Sequence, residues 1–463
     1  MVMMPSFYWT DIMLWALFGL LLVAIKQILA DKQKRQQWRQ VFSSKTAMAA
    51  AIVLVVYFMV ALADSIHFNV ETQSSAQNAA QTTIQMTPLD MVFSHLIVKT
   101  ERTYSAPFAS HEYSRSIVYD EQGQVSQQFL PLQHVADYFS NDDKSASWYL
   151  VKQASWAFMA AVLLLFVFAS IHAYGKFVAF AQLHAGEHPI KLPWQTAYVT
   201  VFILVFTAVF LYLLSFDYHV LGTSKVGDDV FYQSLKSVRT GILIGALTTV
   251  VMLPLALVLG ISAGYFKGWI DDIIQYLYTT LNSIPGVLLI AAAVLVMQSI
   301  MANNADWFGS SEERADLRLL FLILILGITS WTGLCRLLRA ETLKISQIEY
   351  VTAAKAFGMG PFTIIRRHIM PNLMHLVLIA LVLDFSGLVL AEAVLSYVGV
   401  GVDPTTPSWG NMINQARLEM AREPMVWWSL LSAFCFMFAL VLAANLFADR
   451  VQWVLNPRNN TEK

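Results

Sequence analysis

The sequence predicts an all-α polytopic membrane protein of about nine transmembrane helices, with one extracytoplasmic insert of uncertain fold. Three observations predict this. Only 13% of the 463 residues are charged, against roughly 25% in a soluble domain. Mean hydropathy is +0.55. The apolar residues are gathered into long uncharged runs, each near the ~20 residues that cross a bilayer. With a formal net charge of −1, no global field draws the chain to nucleic acid. Useful charge asymmetry must lie loop against loop.

The runs come in order. Tyr8–Ile28 has no basic region before it and no clear small-residue cleavage site, so it reads as a retained anchor. Ala47–Phe68 follows. Beyond the insert lie Trp156–Ala173, Ala197–Phe216, Ile242–Gly264, Ile284–Met301, Leu319–Leu338, Met374–Ser396 and Trp427–Phe447. Pro254 and the Ile284-Pro285-Gly286 start are tolerated because neighbouring helices satisfy the freed backbone groups. Gly241-x-x-x-Gly245 and Gly260-x-x-x-Gly264 predict close helix approach. Cys335 and Cys435 fall in apolar runs and read as packing residues.

Charge sets the expected direction. Lys26, Lys32, Lys34, Arg35, Arg39 and Lys45 cluster after the first run against Asp31 alone. Arg339, Lys344, Lys355, Arg366 and Arg367 stand against Glu341 and Glu349, and Arg450, Arg458 and Lys463 lie at the carboxyl end. The positive-inside rule makes all three places cytoplasmic, and an odd number of spans puts them on one side. The amino terminus is then expected outside and the carboxyl terminus inside.

The sequence divides into membrane anchor helices at 1–68, an extracytoplasmic (periplasmic) insert at 69–153, further membrane helices at 154–216, and a last membrane region at 217–463 with a polar loop at 339–373. The insert is Gln/Ser/Thr-rich at first and acidic overall. SIVYD and VSQQFLPL suggest short strands. A small domain and a partly ordered segment are both compatible with its size. The expectation is that it stands apart from the membrane region that follows. Its histidines His95, His111 and His134 lack metal-ligand spacing.

The most informative stretch is EYVTAAKAFGMGPFTIIRRHIMPN, Glu349 to Asn372. Ser346 and Glu349 form an S-x-x-E pattern that predicts a capping box. Good helix formers run from Gln347 to Phe357, and Ala353 and Ala354 keep the surface shallow. Gly358 suits the left-handed position past a helix end, with Pro361 soon after. A short exposed helix at the membrane edge is expected.

This stretch resembles the EAA motif of bacterial ATP-binding-cassette (ABC) importer permeases, through Glu349, Ala353, Ala354, Gly358, Ile369 and Pro371. Its form looks most like the dipeptide/oligopeptide/nickel branch, C-type subunit. Further strings resemble the same family. They are Gly260 to Ile274 (GISAGYFKGWIDDII), Ala391 to Ile413 (AEAVLSYVGVGVDPTTPSWGNMI), and NLFADRVQWVLNPR near the end, with Asn445, Asp449, Pro457 and Arg458. There are departures. Where the family has G-T-D-x-x-G-R-D, Ser224 and Asp228 replace aspartate and arginine, and Ala448 and Asn456 replace glycine and aspartate. The resemblance spans about Val220 to Arg458, leaving roughly the first 200 residues outside it.

The resemblance implies a type I ABC-importer-like core at 217–463. It implies a permease subunit in the bacterial inner membrane, forming half of a pathway for di- or oligopeptides or a related solute. It implies a homologous second permease subunit (a heterodimer), two cytoplasmic ABC ATPase subunits and an extracytoplasmic solute-binding protein. ATPase coupling would fall to Glu349, Ala353, Ala354, Gly358 and Pro371. No Walker A, G-x-S-x-G or H-E-x-x-H string occurs. The chain is therefore expected to be no enzyme and to hold no cofactor or metal, with ATP and Mg on partner subunits. Asp384 and Glu392 are acids inside an apolar run, which marks them as pathway candidates. Eight residues apart is about 80° past two helical turns, so they lie on adjacent flanks. Bonding within the bundle is the alternative for each. The competing functions are a secondary transporter, for which no internal symmetry is seen, and a membrane scaffold or sensor using the insert.

Overall fold

The computed structural model describes residues 3–72, 82–119, 125–135, 143–182 and 192–455. In chain order its elements are β1 (Met3–Ser6), α1 (Trp9–Ala30), α2 (Lys32–Phe42), α3 (Lys45–Ala63), β2 (His67–Thr72) and β3 (Thr82–Met86). There follow α4 (Pro88–Val92), α5 (Ser94–Val98), β4 (Ser116–Tyr119), β5 (Val125–Gln128), α6 (Asp143–Gln182), α7 (Trp194–Leu214) and α8 (Val230–Phe266). The rest are α9 (Trp269–Ser283), α10 (Gly286–Asn303), α11 (Ser311–Ile345), α12 (Glu349–Ala356), α13 (Pro361–Ile364), α14 (Met370–Val398), α15 (Trp409–Glu419) and α16 (Trp428–Leu455). Among the described residues nine helices are long and apolar enough to cross a membrane, with α13 and α14 counted as one run. Each expected run maps onto one of them. The second ends early, at Ala63, because the chain turns there and enters β2. Pro457, Arg458 and Lys463 lie outside the described residues, as do Asp120, Glu121, Asp137 and Asp142.

The chain forms two compact units. The first comprises Met1–Ser6, Trp38–Arg239 and Pro407–Ala443. Here β1, β2 and β3 make an antiparallel sheet in that order, with Met3 opposite Val70 and Phe68 opposite Met86. β4 and β5 pair as the strand-like strings suggest, with Ser116 opposite Gln128. α4 carries a complete capping box, Thr87 with Asp90, and Pro88 opens it. An apolar cluster of Leu89, Phe93, Leu96 and Phe231, joined by Val60, Leu211 and Phe436, fastens α4 and α5 to the membrane helices.

The insert is hydrogen-bonded to the segment that leads into α8. The Glu101 N–H bonds the Gly227 carbonyl (3.1 Å). Thr223 Oγ1 accepts from the Ser105 N–H (2.6 Å) and donates to the Thr103 carbonyl (2.9 Å). The GTSKVGDD segment thus uses the insert as its hydrogen-bond partner, since a buried backbone needs partners from somewhere. Two polar clusters sit at the same junction. His219 Nδ1 lies 2.8 Å from Asp229 Oδ2 and its Nε2 lies 3.8 Å from Glu101 Oε1. Lys236 Nζ lies 2.9 Å from Asp90 and 3.7 Å from Asp64. Burial alone would raise the Asp90 carboxyl, but Lys236, Tyr232 and Thr87 together hold it below its ordinary value.

The second unit comprises Phe7–Gln37, Thr240–Thr406 and Ala444–Lys463. An apolar cluster packs α8, α9, α11, α12 and α14 through Met252, Ile274, Cys335, Leu338, Ile345, Val351, Ile364, Ile369 and Leu373. The Gly260/Gly264 pair allows α8 to approach α11. A Cβ at Gly260 would meet the Cys335 carbonyl at 2.8 Å, and one at Gly264 would meet Thr342 Cβ at 2.6 Å. Both cysteines are free thiols, Cys335 buried and Cys435 exposed.

Candidate functional site

α12 is the centre of the site, and its local sequence explains its bounds. The capping box predicted for Ser346 and Glu349 does not form. Ser346 closes α11 instead, its hydroxyl donating to the Leu343 carbonyl at 2.8 Å. Ile348 is the residue before α12, so Glu349 stands at the first helical position and not at the third, from which a box reaches back. Its carboxylate still lies in the first turn, where the helix dipole favours negative charge.

The other end matches the sequence reading. Gly358 has φ +77°. The Met359 N–H bonds the Ala354 carbonyl (3.1 Å) and the Gly358 N–H bonds the Lys355 carbonyl (3.0 Å), a Schellman closure. Pro361 then opens α13. A π turn over Ile365–Ile369 joins α13 to α14, and the Met370 N–H reaches five residues back to Ile365. Pro371 gives the reason: its ring lacks an N–H and would press on the Arg367 carbonyl in a regular helix. Asn372 Nδ2 fills in, donating to the His368 carbonyl (2.6 Å) and to the Tyr350 hydroxyl (2.9 Å).

The two motif alanines do different things. Ala354 is buried with Val351 on the bed formed by Ile345, Ile364, Ile369 and Leu373. Ala353 and Glu349 face outward. Beside them Phe357 is 88% and Phe362 76% exposed. Both aromatics were missed by motif reading, although two phenylalanines around an exposed Gly358 turn were visible in the string. Lys355 Nζ sits 4.6 Å above the Tyr265 ring. Arg339, near the end of α11, grips Asp271 of α9 through Nε (2.5 Å) and Nη2 (2.7 Å). The hydrogen bond from Arg339 holds the Asp271 carboxyl below its ordinary value. α12 thus rests on a pinned, close-packed floor with an apolar, exposed rim.

The pathway candidates separate. Asp384 is half-buried in α14 and forms no hydrogen bond or ion pair among the described residues. Glu392 is buried and accepts from the Ser396 hydroxyl at 2.7 Å. The string that follows has a packing logic. Gly399 ends α14 with φ +87°, and a Cβ at Gly401 would lie 1.9 Å from Ser396 Oγ. In the other unit Ser408 caps α15 by accepting from the Asn411 N–H (3.0 Å), while Trp409 Nε1 donates to the Ser234 carbonyl (3.1 Å). His95 stacks on Phe216 and bonds Ser215 (2.8 Å), and among the described residues no group of three or more potential metal ligands occurs.

The chain is similar to known membrane transport proteins. The family model described as "Binding-protein-dependent transport system inner membrane component" matches residues 256–461. The chain is 31% identical over 240 residues to the glutathione transport system permease protein GsiD of Pectobacterium atrosepticum, covering 52% of this chain and 73% of that one. It is 28% identical to the dipeptide transport system permease protein DppC of Bacillus subtilis, covering 52% and 69%. It is 27% identical to the oligopeptide transport system permease protein OppC of Mycobacterium bovis, covering 52% and 77%. A chain of the MetNI methionine ABC transporter, in inward-facing conformations, matches 48% of this chain and 93% of its own length at 16% identity. The TM-score is 0.36. The extent and identity of the permease matches establish the family: this chain belongs to the binding-protein-dependent transport system inner membrane components.

Proposed function

We propose that this chain is a transmembrane permease subunit of an ABC importer for peptides, forming half of the translocation pathway beside a homologous permease. Energy arrives from two cytoplasmic ATPase subunits that carry ATP and Mg, and solute from an extracytoplasmic binding protein. The observation that carries the reading is α12, a short helix fixed from beneath by Val351 and Ala354 and offering Glu349, Ala353 and Phe357 outward. Such a rim suits an apolar groove on an ATPase. The buried bed passes the ATPase's movement to α11 and α14. Closure of the nucleotide dimer must bind one permease conformation better than the other, and that difference drives alternating access. In this reading the amino terminus and the insert are extracytoplasmic and α12 is cytoplasmic. Asp384 faces the pathway or the second permease, and Glu392 holds the end of α14 together.

The test is reconstitution. The chain is co-expressed with the second permease and the ATPases and purified by a tag on this chain alone. Retention of the ATPases, and ATP-dependent tripeptide uptake with the binding protein present, are expected. A solubilised, folded chain that never retains an ATPase would overturn the reading.

A further inference from the structure

At the end of α11 opposite α12 lies a cavity of about 670 Å³, within the size range of small-molecule sites. It is lined by the last turns of α10, the 304–310 connection and the first turns of α11, with Asp403 from the segment after α14. Its polar groups do not balance. Arg318 places Nη1 on Asp403 (3.2 Å) and Nη2 on the Gly401 carbonyl (3.4 Å), yet its Nε is buried without a partner. Gln298 Nε2 is also buried and unpartnered. Arg314 forms no hydrogen bond or ion pair through its guanidinium among the described residues. The acceptors are already taken. Asp403 Oδ1 holds the Thr405 N–H (3.0 Å) and hydroxyl (2.8 Å), and its Oδ2 holds Arg318. The Gly309 N–H is held by Glu313 (2.9 Å). Buried donors left unmade are costly, so Arg318 Nε and Gln298 Nε2 beside one cavity, with the exposed Arg314 at its rim, point to an acceptor from outside. Asp403 is engaged by Arg318 and Thr405, and Glu313 is turned to the Gly309 N–H, so the Arg314 guanidinium at the rim favours an anion as that acceptor. Met301, Ala302 and Phe308 line the same cavity, an apolar wall that suits an organic anion better than an inorganic one.

We infer that this cavity binds the terminal carboxylate of a peptide entering the pathway, with Arg314 and Gln298 as its donors. This rests on the importer reading above. Arg314 lies about 45 Å along α11 from Ile345, farther than the ~30 Å hydrocarbon core, so the site is at a water-facing end.

The test uses the assembled permease–ATPase complex in nanodiscs without its binding protein, probed with labelled trialanine and its C-terminal amide. The wild type should bind the acid at least tenfold more tightly than the amide. Arg314→Gln should abolish that discrimination, Gln298→Leu should reduce it, and Arg314→Lys should keep most of it. Equal binding of acid and amide, or discrimination intact in Arg314→Gln, would overturn the site. So would discrimination that depends on anionic lipid in the nanodisc, which would assign the donors to a headgroup. If the same complex still imports trialanine when its binding protein is added, the importer reading stands while the site falls. If it imports nothing, the importer reading itself falls.

Discussion

The two ends of α11 carry opposite kinds of incompleteness. At the α12 end Val351 and Ala354 are packed on a buried apolar bed, and Phe357, Phe362 and the Ala353 face stand uncovered. At the Arg314 end the apolar wall lies inside a cavity, and what remains uncovered is a set of hydrogen-bond donors. Exposed aromatics on a rigid floor suit a protein surface, whereas converging unpaired donors suit a small anion. One rigid helix of 35 residues, about 50 Å long, joins the two. In the proposed reading, solute state at one end and nucleotide state at the other would act on the same element.

The comparison breaks most completely on orientation. In a Cys435→Ser background, Ser311→Cys and Thr352→Cys place exposed thiols at the two ends of α11. A membrane-impermeant thiol reagent on intact cells should label the first and spare the second, an all-or-none difference. The reverse pattern would remove both the topology and the coupling role of α12.

Next in size is Gly358→Val. A β-branched residue at φ +77° costs about 1–2 kcal/mol or more locally, enough to reshape the exposed turn and too little to unfold the membrane core. Uptake should fall more than tenfold at unchanged membrane levels. Wild-type uptake would count against the turn as a docking element.

Asp403 gives a smaller, pH-dependent effect. Burial would raise its carboxyl, but Thr405, Arg318 and Arg314 hold it below the ordinary value. A lowered folded value means the stabilisation is present above the unfolded value of about 3.9 and is lost as pH falls through the folded one. Thermal unfolding at neutral pH should show Asp403→Asn destabilised by about 1 kcal/mol. The gap from wild type should close on acidification below pH ~4. A gap constant with pH would mean the oxygen atoms matter and the charge does not.

Glu349→Ala should have the least effect. With no capping box, the carboxylate contributes only its dipole term of about 0.3–1 kcal/mol, so uptake should fall at most about fivefold. A loss as large as that of Gly358→Val would show that Glu349 contacts the ATPase directly.

Much of this was legible in the chain. The spans follow from length and polarity, and helix ends written in glycine and proline are local facts. Gly358 needs positive φ whatever surrounds it, and Pro371 disturbs any helix that contains it. Ser346 was misread because a capping box depends on where a helix starts, and α11 ran on to claim that serine. Ala353 and Ala354 are indistinguishable in the string. The fold decides which is floor and which is rim, since that depends on the rotation of α12 over Ile345 and Ile369.

Sequence alone determined the membrane class, the family and the closure of α12, because each rests on composition or on neighbours within a few residues. Only tertiary structure decided that the insert is knitted to Thr223 and Gly227, and that Gln298, Arg314 and Arg318 share one cavity. Hydrogen-bond satisfaction is a balance over groups brought together from distant positions, and no local pattern records which donors end without an acceptor.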